Sequence, residues 1–260
     1  MKLRPSLRIQ QNLSLLGAAW LLACAAVAQQ TPLDAAIPTA KGVQAIKVIG
    51  VSPSGTSLDV MSPDGSQRYS LPFAQLKDLR MNAPVELDQA LGLYQQKKYD
   101  EALAMLSKLV ARFRGLQLPW AQQAAASLGS IHLAKGNVPA AEAAFAAFQK
   151  MYPGQGSLQA DVGLALVAVA KKDYDAARAK LEPVAEAALK EKNVANANAL
   201  AYSGVFLGLG QINEAEGKFS EALEQYLRTV TLFFHDRAAA SIAQERADAL
   251  RKEHKDIAVP

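Results

Sequence analysis

Cysteine is almost missing from this chain: Cys24 is the only one among 260 residues. A single thiol forms no internal disulfide, and Cys24 lies in the N-terminal leader described below, so the rest of the chain has no cysteine nucleophile. Histidine is nearly as scarce. His132, His235 and His254 fall on different segments, with neither an HExxH pattern nor a paired His and carboxylate spacing suited to zinc. A GxSxG elbow and a phosphate-binding loop are missing as well. Gly208-Leu209-Gly210 begins like a dinucleotide loop, but it lies inside a helical pattern with no strand before it, so close helix packing explains it better. These gaps argue against an enzyme, a metal site and an organic cofactor, and none is expected.

A strong excess of one charge is also missing. Residues 1–28 carry Lys2, Arg4 and Arg8, an apolar run from Leu13 to Ala28, and Ala26-Val27-Ala28 just before Gln29. That is the basic, apolar, small-x-small order of a secretory signal, and the run is short for a helix that must cross about 30 Å of hydrocarbon. Cleavage is expected after Ala28, giving an exported, periplasmic or secreted chain. A second reading uses Leu21-Leu22-Ala23-Cys24 as a lipobox, which would make an outer-membrane lipoprotein anchored at Cys24. Without the leader the chain keeps 25 basic residues against 24 acidic ones. Nucleic-acid binding needs clustered Lys and Arg to displace counterions from phosphates, so no nucleic-acid partner is expected.

The mature chain is expected to divide in three. Residues 29–42, with Pro32 and Pro38 among small polar neighbours, read as a linker. Over residues 43–82 the period is two: Val43 to Val51, Ser57 to Met61 and Gln67 to Leu71 read as three strands of a small antiparallel meander, separated by Ser52-Pro53-Ser54-Gly55 and Ser62-Pro63-Asp64-Gly65. Phe73 to Met81 reads as a short helix carrying Phe73, Leu76 and Leu79. Three such strands are marginal alone and should pack on something, the first helices being the expected place.

Residues 83–255 are helical in pattern and rich in alanine. Four times a small residue is followed twelve positions later by alanine: Ala90/Ala102, Gly129/Ala141, Ala165/Ala177 and Gly210/Ala222. Two helices joined by a tight turn approach closely only when each places a small side chain at the crossing. The second unit is the clearest, with Leu128-Gly129, His132, Gly136-Asn137 at the turn, Ala141, Phe145 and Pro153. The first has Tyr94 and Tyr99-Asp100-Glu101-Ala102, the third Asp173-Tyr174-Asp175-Ala176-Ala177, and the fourth Lys218-Phe219-Ser220-Glu221-Ala222 with Tyr226. The chain resembles the tetratricopeptide repeat family from residue 84 to 234. The intervals between the second-helix alanines, 39, 36 and 45 residues, exceed the repeat's usual length of about 34 and imply lengthened helices or loops. The expected fold is mainly α: a solenoid of about four hairpins preceded by the β meander, with an amphipathic helix from Asp236 to His254 capping the last repeat through Ala239, Ile242, Ala243, Ala247 and Leu250.

The resemblance implies a non-catalytic protein-binding scaffold whose site is the concave face lined by the first helix of each hairpin. The family's inward positions map onto Leu87, Leu91 and Tyr94, then Ala126, Ser130 and Leu133, then Val162, Leu166 and Val169, then Leu207, Gln211 and Glu214. The Lys, Arg and Asn used by members that clamp a terminal carboxylate are missing here, and the mostly apolar face suits a hydrophobic segment of a protein or peptide partner. Alternatively the chain fills its own groove, with the Phe73 to Met81 helix or by tight curvature. A different reading makes the meander the functional part, binding a glycan, peptidoglycan or another small ligand while the helices are structural. His132 stands where the family usually has tyrosine and is expected to be a core histidine with a local hydrogen bond, and Trp120 is expected to seal the junction of the first two repeats.

Overall fold

A computed structural model describes residues 31–40, 42–76, 78–153, 158–191, 196–234 and 236–257. The segment expected to be a leader, including Cys24, and His235 lie outside the described residues. The chain forms two compact units, one made of Leu58–Arg80 and the residues up to Gly50, the other of Met81–Pro260 and Val51–Ser57.

The N-terminal sheet has five antiparallel strands, β1 Leu33–Thr39, β2 Gly42–Val51, β3 Ser57–Met61, β4 Arg68–Pro72 and β5 Arg80–Met81, in the spatial order β4-β3-β2-β1-β5. Its two central turns repeat one solution. In Ser52-Pro53-Ser54-Gly55 and in Ser62-Pro63-Asp64-Gly65, the glycine amide donates to the serine carbonyl at 2.8 Å, and both glycines have positive φ. Proline presets the second position of such a turn and glycine tolerates the fourth. Alternation then buries Ile46 and Val48 on β2 and Leu58 and Val60 on β3.

Two expectations are corrected in this region. Residues 33–39 are a strand and not part of a linker: β1 pairs with β2 along its whole length, from Leu33 opposite Val48 to Thr39 opposite Gly42. Asp34, Ala35, Ala36 and Pro38 are poor strand formers, so the partner strand sets their conformation and local preference does not. Phe73 to Met81 is not a helix either. It makes one 3-10 turn at Phe73–Gln75 and then enters the sheet at Arg80, which leaves too few residues to nucleate a stable helix.

Nine helices are present among the described residues: α1 Val85–Gln95, α2 Tyr99–Arg112, α3 Pro119–Ala134, α4 Val138–Met151, α5 Leu158–Ala170, α6 Tyr174–Lys190, α7 Asn196–Ala215, α8 Phe219–Thr231 and α9 Arg237–Glu253. They pack as four successive hairpins with α9 against α8 and α7. The long interval between Ala177 and Ala222 follows from α6 and α7, which run to 17 and 20 residues.

One turn joins the helices of every hairpin. Lys97, Gly136, Lys172 and Gly217 each adopt a left-handed conformation, with φ between 61° and 75°. Each donates its amide to the carbonyl three residues back, and the next residue donates to the carbonyl five back, as in Lys97 to Tyr94 and Lys98 to Leu93. This is the Schellman arrangement, which satisfies carbonyls left open at a helix end. The small residue of the second helix follows five positions later in all four cases. Asn137 and Asp173 add side-chain caps, accepting from the amides of Ala140 and Ala176.

Ala90, Ala102, Ala141, Ala165, Ala177 and Ala222 are fully buried at the crossings. The glycines admit an aromatic ring where a methyl would not fit. A Cβ on Gly129 or Gly163 would stand 2.5 or 2.3 Å from the ring of Phe145, and one on Gly210 would stand 2.5 Å from Tyr226. Phe145 of α4 therefore lies against α3 and α5 together. Trp120 seals the start of α3, edge-on to Phe113 at 5.1 Å, with its Nε1 donating to the Met81 carbonyl at 3.2 Å. His132 departs from its expected local hydrogen bond. Its Nδ1 is buried with no hydrogen-bond partner among the described residues, and desolvation, aided by the Lys135 charge, holds its pKa below the ordinary value of 6.5.

Four substitutions test this packing. Gly210→Ala should destabilise the helical unit by about 1–3 kcal/mol through overpacking, whereas Gly92→Ala, which meets nothing within 4 Å, should stabilise it by about 0.5–1 kcal/mol, both read by denaturant unfolding. Lys172→Gly should raise stability by up to about 1 kcal/mol by relieving the left-handed lysine. Because His132 binds a proton more readily unfolded than folded, its contribution is complete above pH 6.5 and declines as the pH falls below that value. His132→Tyr should flatten this part of the stability profile between pH 8 and 5.5.

Candidate binding site on the helical unit

The first helices of the hairpins turn a shared side inward, and between them lies a cavity of about 390 Å³. Tyr94 of α1, Ser130 and Leu133 of α3, Leu166 and Val169 of α5, and Leu207 and Gln211 of α7 all line it. Leu91 lines a smaller adjoining recess of about 100 Å³, which shares Tyr94, Ser130 and Asp236 with the main cavity. Three inward assignments are corrected because their side chains are consumed by packing: Leu87, Ala126 and Val162 are buried in the core. Val162 belongs to the cluster around Phe206 and Tyr202. Glu214 is taken up by neighbouring helices, accepting from the Tyr226 hydroxyl at 2.6 Å and from Arg246 Nε at 3.1 Å.

The other wall was not legible from the repeats. Asp236, Ala239 and Ile242 bring α9 to the cavity, and Lys172 and Tyr174 reach it from the turn between α5 and α6. The apolar stripe of α9 does bury Ala239, Ala243, Ala247 and Leu250, as a cap should. The array also curves far enough for α9 to meet α1, where Lys97 Nζ lies 3.0 Å from Glu245 Oε1. Of the two ways in which the chain was expected to occupy its own groove, curvature narrows it to a cavity. Gly204 and Gly208 of α7 admit Leu166 close to their backbone, which draws α5 and α7 together beneath the cavity floor.

The electrostatics centre on Asp236. Its Oδ1 accepts from the amides of Ala238 and Ala239 at 3.0 and 3.1 Å, capping α9. Part of its surface faces the cavity but protein surrounds it, and burial pushes the carboxyl above the ordinary carboxylate range, against the downward pull of the two amides. Tyr94 is pushed well above the usual phenol range, first by burial and then by the Asp236 charge. The cavity thus offers an apolar wall with one carboxylate and a phenol at the junction of its two compartments. Among the described residues nothing lining it pairs a nucleophile with a base, and no group of His, Cys, Asp or Glu is placed to hold a metal.

No curated protein and no solved structure matches this chain. A family model described as Tetratricopeptide repeat matches residues 87–156, which span α1 to α4, the first two hairpins and the first half of the cavity wall. Such repeats are generally protein–protein interaction modules and typically non-catalytic.

Proposed function

We propose that this chain is a non-catalytic adaptor of the bacterial cell envelope that binds a protein partner through the concave cavity of its helical array. The observation that carries the reading is the convergence of seven repeat-derived inward positions on one apolar cavity. An apolar segment of a partner, entering between the first helices and α9, would bury leucine or aromatic anchors there at roughly 1.5–3 kcal/mol each. Export rests on the basic and apolar leader, with release after Ala28 as the leading route and lipidation of Cys24 as the other.

A second reading has its own observation. The sheet carries an open cleft lined by Gln44, Gln67, Arg68 and Tyr69, with Gln44 Nε2 within 3.5 Å of the Tyr69 hydroxyl, a polar and aromatic surface of the kind that suits a glycan.

Crosslinking in cells of the native source followed by affinity capture separates the two. Leu133→Arg with Gln211→Trp, which charges and fills the cavity, should lower the unfolding midpoint because Leu133 also packs on the Phe145 cluster, but should keep a single cooperative transition and reduce capture of an envelope protein at least tenfold. Capture retained in that variant but lost in Tyr69→Ala would move the site to the sheet.

A further inference from the structure

The cavity holds a carboxylate that meets no counter-charge among the described residues. Both amide bonds of Asp236 fall on Oδ1, and Asp236 takes part in no ion pair among the described residues. Lys172 lines the main cavity and Arg237 the adjoining recess, yet neither closes on it. A carboxylate facing an apolar space gains most from a cation delivered with its own apolar surroundings, because the pair then forms away from competing water. Around Asp236 the wall is Leu133, Leu166, Val169, Leu207 and Ile242, with the Tyr94 ring between the two compartments. Methylenes suit that wall, and an aromatic face attracts an ammonium group.

On the reading that this cavity is the binding site, we propose that it accepts a lysine side chain of the partner, flanked by apolar residues, with the Asp236 carboxylate as acceptor of its ammonium group. A lysine fits better than an arginine. Its four-carbon stem matches the apolar approach, and its compact charge needs one acceptor, whereas a guanidinium asks for a planar, bidentate one that Asp236, with Oδ1 already engaged by the helix, does not present.

Three peptides of the form acetyl-Leu-X-Leu-amide, with X as lysine, Nε-acetyllysine or norleucine, test this against the mature full chain by ligand-observed NMR titration, with hexylammonium as a further probe. The lysine peptide should bind roughly tenfold more tightly than the other two. Asp236→Asn should erase that preference while keeping the fold, since asparagine caps a helix as well as aspartate does; its unfolding midpoint checks this. Equal binding of all three peptides, no binding of any, or a preference that survives in Asp236→Asn overturns the proposal. Discrimination for hexylammonium but not for the lysine peptide overturns lysine as the source and leaves a small-amine site. Cavity-dependent capture in cells together with no lysine preference would leave the binding reading standing and remove this one, whereas an Asp236-dependent preference with no captured partner would uphold the lysine site and remove the envelope protein as its source.

Discussion

Close approach of two helices at a small side chain is the constraint on which the helical unit depends. Phe145 shows it most plainly: one ring occupies the space where two glycines, Gly129 and Gly163, leave room, and so joins the second hairpin to the first helix of the third. The same logic places Tyr226 against Gly210 and Leu166 against Gly208. Each contact fixes a spacing between helices, and the sum of these spacings sets the curvature of the array. The cavity is a consequence of that curvature. Its floor is the packed layer of small residues, and its volume is what remains when α9 comes round to α1.

Electrostatic ties follow the apolar packing and do not direct it. The Lys97–Glu245 pair between the α1–α2 turn and α9 is more than half exposed on both sides, so it contributes little in water. Glu214 is different, since it is shielded and is held by Tyr226 and Arg246 at once, linking α7, α8 and α9. Asp236 sits where these two kinds of interaction meet. As a cap it is satisfied by two amides, and as a cavity residue it faces apolar walls, which is why its carboxyl is displaced upward.

Much of this was legible beforehand because local rules and global fold agree. The pairs Ala90/Ala102, Gly129/Ala141, Ala165/Ala177 and Gly210/Ala222 mark the crossings, and Gly136 marks one of the four turns. Lys97 and Lys172 gave no such signal, because the left-handed position is imposed on them by the same carbonyl geometry that glycine accepts freely. The strand at Leu33–Thr39 was hidden for a related reason: its pairing with Gly42–Val51 overrides a composition that reads as linker. Leu87 and Val162 were placed inward by repeat phase, but a small rotation of a helix is enough to turn such a residue from the groove into the core.

The sequence by itself determined the helical hairpins and the small residues at their crossings, because small residues and caps act over a few positions and leave a periodic trace. Only the tertiary structure decided that the groove narrows to a cavity, that α9 supplies its second wall, and that Asp236 faces it with no ion-pair partner among the described residues. Those features depend on accumulated curvature over four hairpins, and residues about 140 positions apart, Tyr94 and Asp236 among them, carry no mark of meeting.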